Sequence, residues 1–169
     1  HRALGWRVMA SDGVVENNVF RRLKHSAITT GAEYGFWREA GWVENIVVRG
    51  NLIEDVGRDA AMLDRGAYSV GAINVFVNRD RNTPLPIWPG NRNLVIENNT
   101  IRDCPGPGIG IRAAQGVRIV GNQLEHVLYR PGNQAPGGAI AIEGAEQVEI
   151  GDNPIRHSGT EPERRHPYP

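Results

Sequence analysis

The sequence predicts an all-β solenoid, a parallel β-helix of three sheets with about five coils and loop insertions. Three observations predict it. Short apolar runs alternate with glycine and asparagine along the chain. Five segments align on an asparagine. Two columns of charged residues alternate in sign from one segment to the next.

The aligned asparagines are Asn18, Asn51, Asn99, Asn122 and Asn153. Three residues before them stand Val15, Val48, Ile96, Ile119 and Ile150. Five residues before stand Ile46, Leu94, Val117 and Val148, with Gly13 the exception. Two residues after stand Phe20, Ile53, Ile101, Leu124 and Ile155, and five after stand Leu23, Val56, Cys104, Val127 and Ser158. Such period-two alternation describes short strands interrupted at the Asn. The asparagines are 33, 48, 23 and 31 residues apart. The shortest interval fits one coil, and the longer ones add loops at turns. Ala27 to Thr30, Gly108 to Ile111 and Ala139 to Ile142 supply a further strand in their coils, and Tyr68 to Val77 contains that of the coil between. Gly5 to Val8 reads as the end of a coil that begins outside this chain.

The charges test this register. Three residues after each Asn come Arg21, Glu54, Arg102, Glu125 and Arg156. A second column reads Glu16, Arg49 and Glu97. Stacked strands lie roughly 4.8 Å apart, where opposite charges attract modestly and like charges repel. The Asn column is structural: Asn tolerates a left-handed bend at a turn, and stacked amides bond one another. Cys104 falls in an apolar column and reads as a small core residue.

Composition excludes several classes. With 21 Gly and 11 Pro in 169 residues, long helices are ruled out. The 19 basic residues balance 19 acidic ones, a poor basis for nucleic-acid binding. No apolar stretch approaches the roughly 20 residues of a membrane span. One cysteine forms no intramolecular disulfide and argues against a thiolate zinc site. His25, His126 and His157 lack metal-ligand spacing, and no nucleotide motif is present, so neither metal nor cofactor is expected. Residues 1–159 read as β-helix, expected to be part of a longer solenoid, and 160–169 as a polar tail over the surface.

Chemistry is expected in the insertions and on one exposed sheet face. The first insertion carries Tyr34, Phe36, Trp37 and Trp42, with Glu33, Glu39 and Arg38 among them. Aromatic rings stack on sugar C–H faces, and carboxylates bond hydroxyls or exchange protons at a glycosidic bond. The alternative is a loop folded back over the coil edge. A second insertion holds Asp59, Asp64 and Arg65, and Pro84, Pro86, Trp88 and Pro89 form a stiff loop. Asp64 beside Arg65 reads either as a catalyst or as a surface pair. Thr29, Gly110 and Ala141 are outward positions, small enough for a flat floor under a saccharide. Arg112 and Glu143, one coil apart, read as a ladder ion pair.

The runs Arg2-Ala3, Gly5 to Val8, Val14 to Phe20, Ser26 to Ile28, Phe36 to Gly41, Val43 to Asn51 and Arg92 to Asn99 resemble the later coils of glycoside hydrolase family 110. The resemblance covers roughly residues 2–125. It rests mainly on Trp37 and Glu39 in an aromatic-Trp-x-Glu-small-Gly loop. It implies a right-handed parallel β-helix of the pectate-lyase-like kind. It also implies an inverting exo-hydrolase of the α-1,3-galactosidase type, acting on terminal α-galactosides of glycans or polysaccharides. The family's aspartate pair has no match here, since Asp64-Arg65 and Asp80-Arg81 differ from it. The resemblance therefore implies sugar-side loops without the main catalytic coil.

The expected catalytic residues are Glu39, Glu33 and Asp64, and the expected substrate contacts Tyr34, Trp37, Arg38, Trp42 and Arg65. The expected partner is a carbohydrate, with neither nucleic acid nor membrane, in a secreted or periplasmic setting. Two other readings compete. A lyase or epimerase of acidic polysaccharide predicts a cationic groove with Arg65, Arg112 and calcium ligands, although Lys24 is the only lysine. A non-catalytic β-helix would bind carbohydrate or serve as structure.

Overall fold

Apolar side chains at every second position give a strand one buried face, and a residue with positive φ turns that face through a corner. Repeated around a core, the two devices wind the chain into stacked coils. The computed structural model describes residues 5–33, 40–58, 71–78, 88–129 and 138–159. The first coil is β1 (Trp6–Val8), β2 (Gly13–Glu16) and β3 (Val19–Leu23). The second is β4 (Ile28–Glu33), β5 (Glu44–Arg49) and β6 (Leu52–Val56), and the third β7 (Ile73–Asn78), β8 (Asn91–Glu97) and β9 (Thr100–Cys104). The fourth is β10 (Ile109–Val120) and β11 (Gln123–Val127), and the fifth β12 (Ile140–Gly151) and β13 (Ile155–Arg156).

Every named strand pairing is parallel, in the register expected from the asparagines. The three stacks of strand segments form two sheets, one of eight strands and one of five. The first two stacks fuse because β10 and β12 round the corner unbroken, whereas insertions divide that corner in the second and third coils. β1 pairs with β4, Trp6 opposite Ile28. Gly5 to Val8 therefore belongs to the same stack as Ala27 to Thr30, one coil earlier.

Each coil contains a set of three positive-φ residues spaced five apart: Asp12, Asn17 and Arg22; Asn45, Gly50 and Asp55; Asn93, Asn98 and Asp103; Gly116, Gly121 and His126; Gln147, Asp152 and His157. The sequence places a left-handed bend on the aligned asparagines, but the bend falls one residue earlier. That displacement lets the aligned Asn turn its amide inward. Asn51, Asn99 and Asn122 are buried, and their amides form a continuous ladder. Asn51 Nδ2 donates to Asn99 Oδ1 at 2.9 Å, and Asn99 Nδ2 to Asn122 Oδ1 at 2.9 Å. Asn122 Nδ2 donates to Asn153 Oδ1 at 2.9 Å.

Inside, columns such as Val15, Val48, Ile96, Ile119 and Phe20, Ile53, Ile101, Leu124 make one continuous core. Each large side chain contributes about 1.5–3 kcal/mol on burial. Cys104 lies in it, and burial pushes its thiol up to about 12. Outside, Glu54 takes Arg21 at 3.0 Å and Arg102 at 3.3 Å, and Arg49 meets Glu16 at 2.7 Å. These exposed pairs are worth at most about 1 kcal/mol each and act mainly on register.

Candidate functional site: the insertion-flanked sheet face

The connections between the second and third segments are short in every coil, because the asparagine ladder occupies them. The long connections all flank the first-segment stack. They run over 34–43 after β4, 79–90 after β7, 57–72 before β7 and 128–139 before β12. Glu33 lies opposite Asn78, so the first two leave neighbouring coils side by side. The first is tied at its neck, where Glu33 N–H donates to the Ala40 carbonyl at 3.1 Å. Loops on a rigid scaffold carry function more often than the scaffold does. The outward side of β1, β4, β7, β10 and β12 is therefore the candidate site.

One outward column of this face is Arg7, Thr29, Asn74, Gly110 and Ala141. Beside it lie Gly31, Phe76, Arg112 and Glu143. Thr29, Gly110 and Ala141 do face outward, but they are buried and form no open floor. Asn74 and Phe76, themselves buried, stand on the face between Thr29 and Gly110. Gly31 has φ of +116°, and a Cβ there would come within 1.9 Å of the Phe76 carbonyl oxygen, so the backbones touch where only glycine fits. Arg112 and Glu143 form the expected pair at 2.7 Å. They line a depression with Asn74, Gly110 and Ala141 of about 10 Å³, room for one water and not for a sugar ring.

Glu33 sits at the end of β4 with its side chain fully buried. Arg7 Nη2 donates to Glu33 Oε2 at 3.3 Å, Arg7 Nε donates to Met9 Sδ at 3.2 Å, and the guanidinium lies 5.7 Å from the Phe76 ring centre. The carboxylate and the ring thus fix the planar cation on the face, at the neck of the aromatic insertion. The sequence reading missed Arg7. Its signal was present: Arg7 stands between Trp6 and Val8 as Thr29 stands between Ile28 and Thr30.

Trp42 is half-buried at the corner, with its indole against Gly90, where a Cβ would meet the ring at 2.1 Å. The structure thus ties Glu33 to Arg7 and Trp42 to Gly90. Tyr34, Trp37, Arg38, Glu39, Asp64 and Arg65 lie outside the described residues. Among the described residues no three His, Cys, Asp or Glu side chains are grouped to hold a metal ion. No helix there is long and apolar enough to cross a membrane. On the third segments, His126 Nδ1 lies 2.9 Å from Asp103, and its ring stacks on Tyr129 at 4.4 Å. Burial raises the Tyr129 phenol.

A family model described as "Right handed beta helix region" matches residues 10–161. Two relatives, both named α-1,3-galactosidase A and from two strains of Bacteroides fragilis, are each 24% identical to this chain over 111 residues. The match takes in 66% of this chain and 17% of each relative, so the chain spans a small part of their length.

Proposed function

Because this chain belongs to the right-handed β-helix family, we propose that its insertion-flanked face is the sugar-facing part of a glycoside hydrolase acting on terminal α-galactosides. The likeness to α-1,3-galactosidase A carries this reading. The clustering of long connections around one sheet face supports it. Glu39 is the proposed donor of a proton to the glycosidic oxygen. Asp64 is the proposed base that takes a proton from water attacking the opposite face of the sugar, which inverts the anomeric centre. Glu33 holds Arg7 toward the sugar hydroxyls. Tyr34, Trp37 and Trp42 are the proposed stacking surfaces, with Arg38 and Arg65 as hydrogen-bond donors. The proposed setting is secreted or periplasmic.

Charge on the described part of the face weighs against the polyuronate reading. Arg7 is matched by Glu33, and Arg112 by Glu143, so no net positive groove is formed there. The test is binding and turnover of an α-1,3-linked galactobioside. Titration should quench tryptophan fluorescence, and NMR should detect β-galactose as the first product. Glu39→Gln should lower kcat by about a hundredfold or more while binding survives. Absence of both saturable binding and turnover on α-galactosides would refute the proposal.

A further inference from the structure

The two ends of the solenoid differ. At the first coil Val15 is 3% exposed and Phe20 7%, and the Trp6 ring, itself 49% exposed, packs edge-on against Phe20 at 5.7 Å. At the fifth coil the inward columns end open. Ile142, Ile150 and Ile155 stack on Ile111, Ile119 and Leu124, yet are 38%, 52% and 47% exposed. Among the described residues, no strand pairs with the outer edges of β12 and β13. The asparagine ladder is also unfinished. Each ladder Asn N–H donates to the Oδ1 of the Asn one coil on, and the series stops at Asn153.

Charge specifies what fits there. β12 carries Glu143, Glu146 and Glu149 and no basic residue, and β13 carries Arg156. Two copies meeting tail to tail would set these glutamates against each other. Copies stacked head to tail would set Arg156 over Arg21, like charge on like charge. The complement exists elsewhere in the molecule. β10 and β11 present Arg112 to Glu143, Arg118 to Glu149 and Glu125 to Arg156 across the pairing already formed. We infer that the outer edge of β12 and β13 is a docking edge for one further β-helix coil with the charge order of β10 and β11. It would be laid down in parallel with an asparagine above Asn153. Backbone pairing along an exposed edge supplies affinity, and matched side chains supply specificity.

The probe is a synthetic peptide copying residues 109–127, titrated against the protein by fluorescence anisotropy. Saturable one-to-one binding is expected. Ile150→Ser with Ile155→Ser, both at exposed sites, should weaken it about tenfold or more. A peptide with Arg112→Glu, Arg118→Glu and Glu125→Arg should bind the native protein about tenfold more weakly, and Glu149→Arg in the protein should narrow that gap. The peptide comparison needs no protein variant, so it survives any folding defect. Failure of the native peptide to bind, equal binding of both peptides, or self-association of the protein alone in sedimentation would each overturn the inference. None of these outcomes bears on the proposed hydrolase activity.

Discussion

Removing one amide from the middle of the asparagine ladder should cost far more than removing one from its end. Asn99 is fully buried. Its Oδ1 accepts from the Asn51 backbone N–H at 3.0 Å and from Asn51 Nδ2 at 2.9 Å. Its Nδ2 donates to the Val48 carbonyl at 3.0 Å and to Asn122 Oδ1 at 2.9 Å. Asn99→Ala takes the acceptor from a buried N–H, at about 1–3 kcal/mol, and deletes three other bonds at about 0.5–1.5 kcal/mol each. The expected loss is about 4 kcal/mol. At the ladder's end, the Asn18 amide donates to the Glu16 carbonyl at 2.8 Å and to Asn51 Oδ1 at 3.1 Å, in partly exposed surroundings. Asn18→Ala should cost about 1 kcal/mol. Urea unfolding followed by circular dichroism measures both from midpoint shifts at constant m. If the two variants differ by less than about 1 kcal/mol, the ladder is ornament on a core-driven fold and the reasoning fails.

Three other outcomes follow from the described geometry. The folded Cys104 thiol, pushed up to about 12 from 9.0, holds its proton more tightly than the unfolded thiol. Stability should therefore be full below about pH 9 and fall as pH climbs toward 12, a limb that Cys104→Val removes. Thiol reagents should label Cys104 only after unfolding, as rates with and without denaturant will show. Gly31→Ala forces a Cβ to 1.9 Å from the Phe76 oxygen at φ +116°. It should lower the melting midpoint sharply, by the equivalent of about 3 kcal/mol or more, and a neutral result would mean that the two backbones part easily. Arg7→Met removes the guanidinium that donates to the buried Glu33 carboxylate and should cost about 1.5–3 kcal/mol. Arg7→Met with Glu33→Gln should recover much of that loss, and a double variant no better than the single one would remove Glu33 from the account.

The β-helix was legible because its register is written in side chains that must meet their own kind. Asparagines at corresponding positions bond one another, and Arg21, Glu54 and Arg102 alternate because stacked like charges repel. Two features were not legible. Alternation marks each strand segment but not whether two segments join through a corner, so the fusion of two stacks through β10 was invisible to it. Thr29, Asn74 and Gly110 share one outward column and are all buried, whereas alternation reports only which face a side chain takes and not how open that face is. The candidate site was legible as a composition, aromatic and acidic, in the first insertion. Arg7 escaped because its partner Glu33 lies 26 residues away, one coil over, and only the stack brings them together.

The kinks spaced five residues apart act as a ruler that the chain cannot stretch. Between the first and third kink of any coil an added residue would turn every later side chain inside out and carry the asparagine off its column. Length can change only on the remaining arc of the coil, and that arc borders the first-segment face. Variation in this architecture is therefore channelled onto one surface. The core can stay constant while the loops around that surface are rewritten, a division of labour imposed by geometry before selection for any substrate begins.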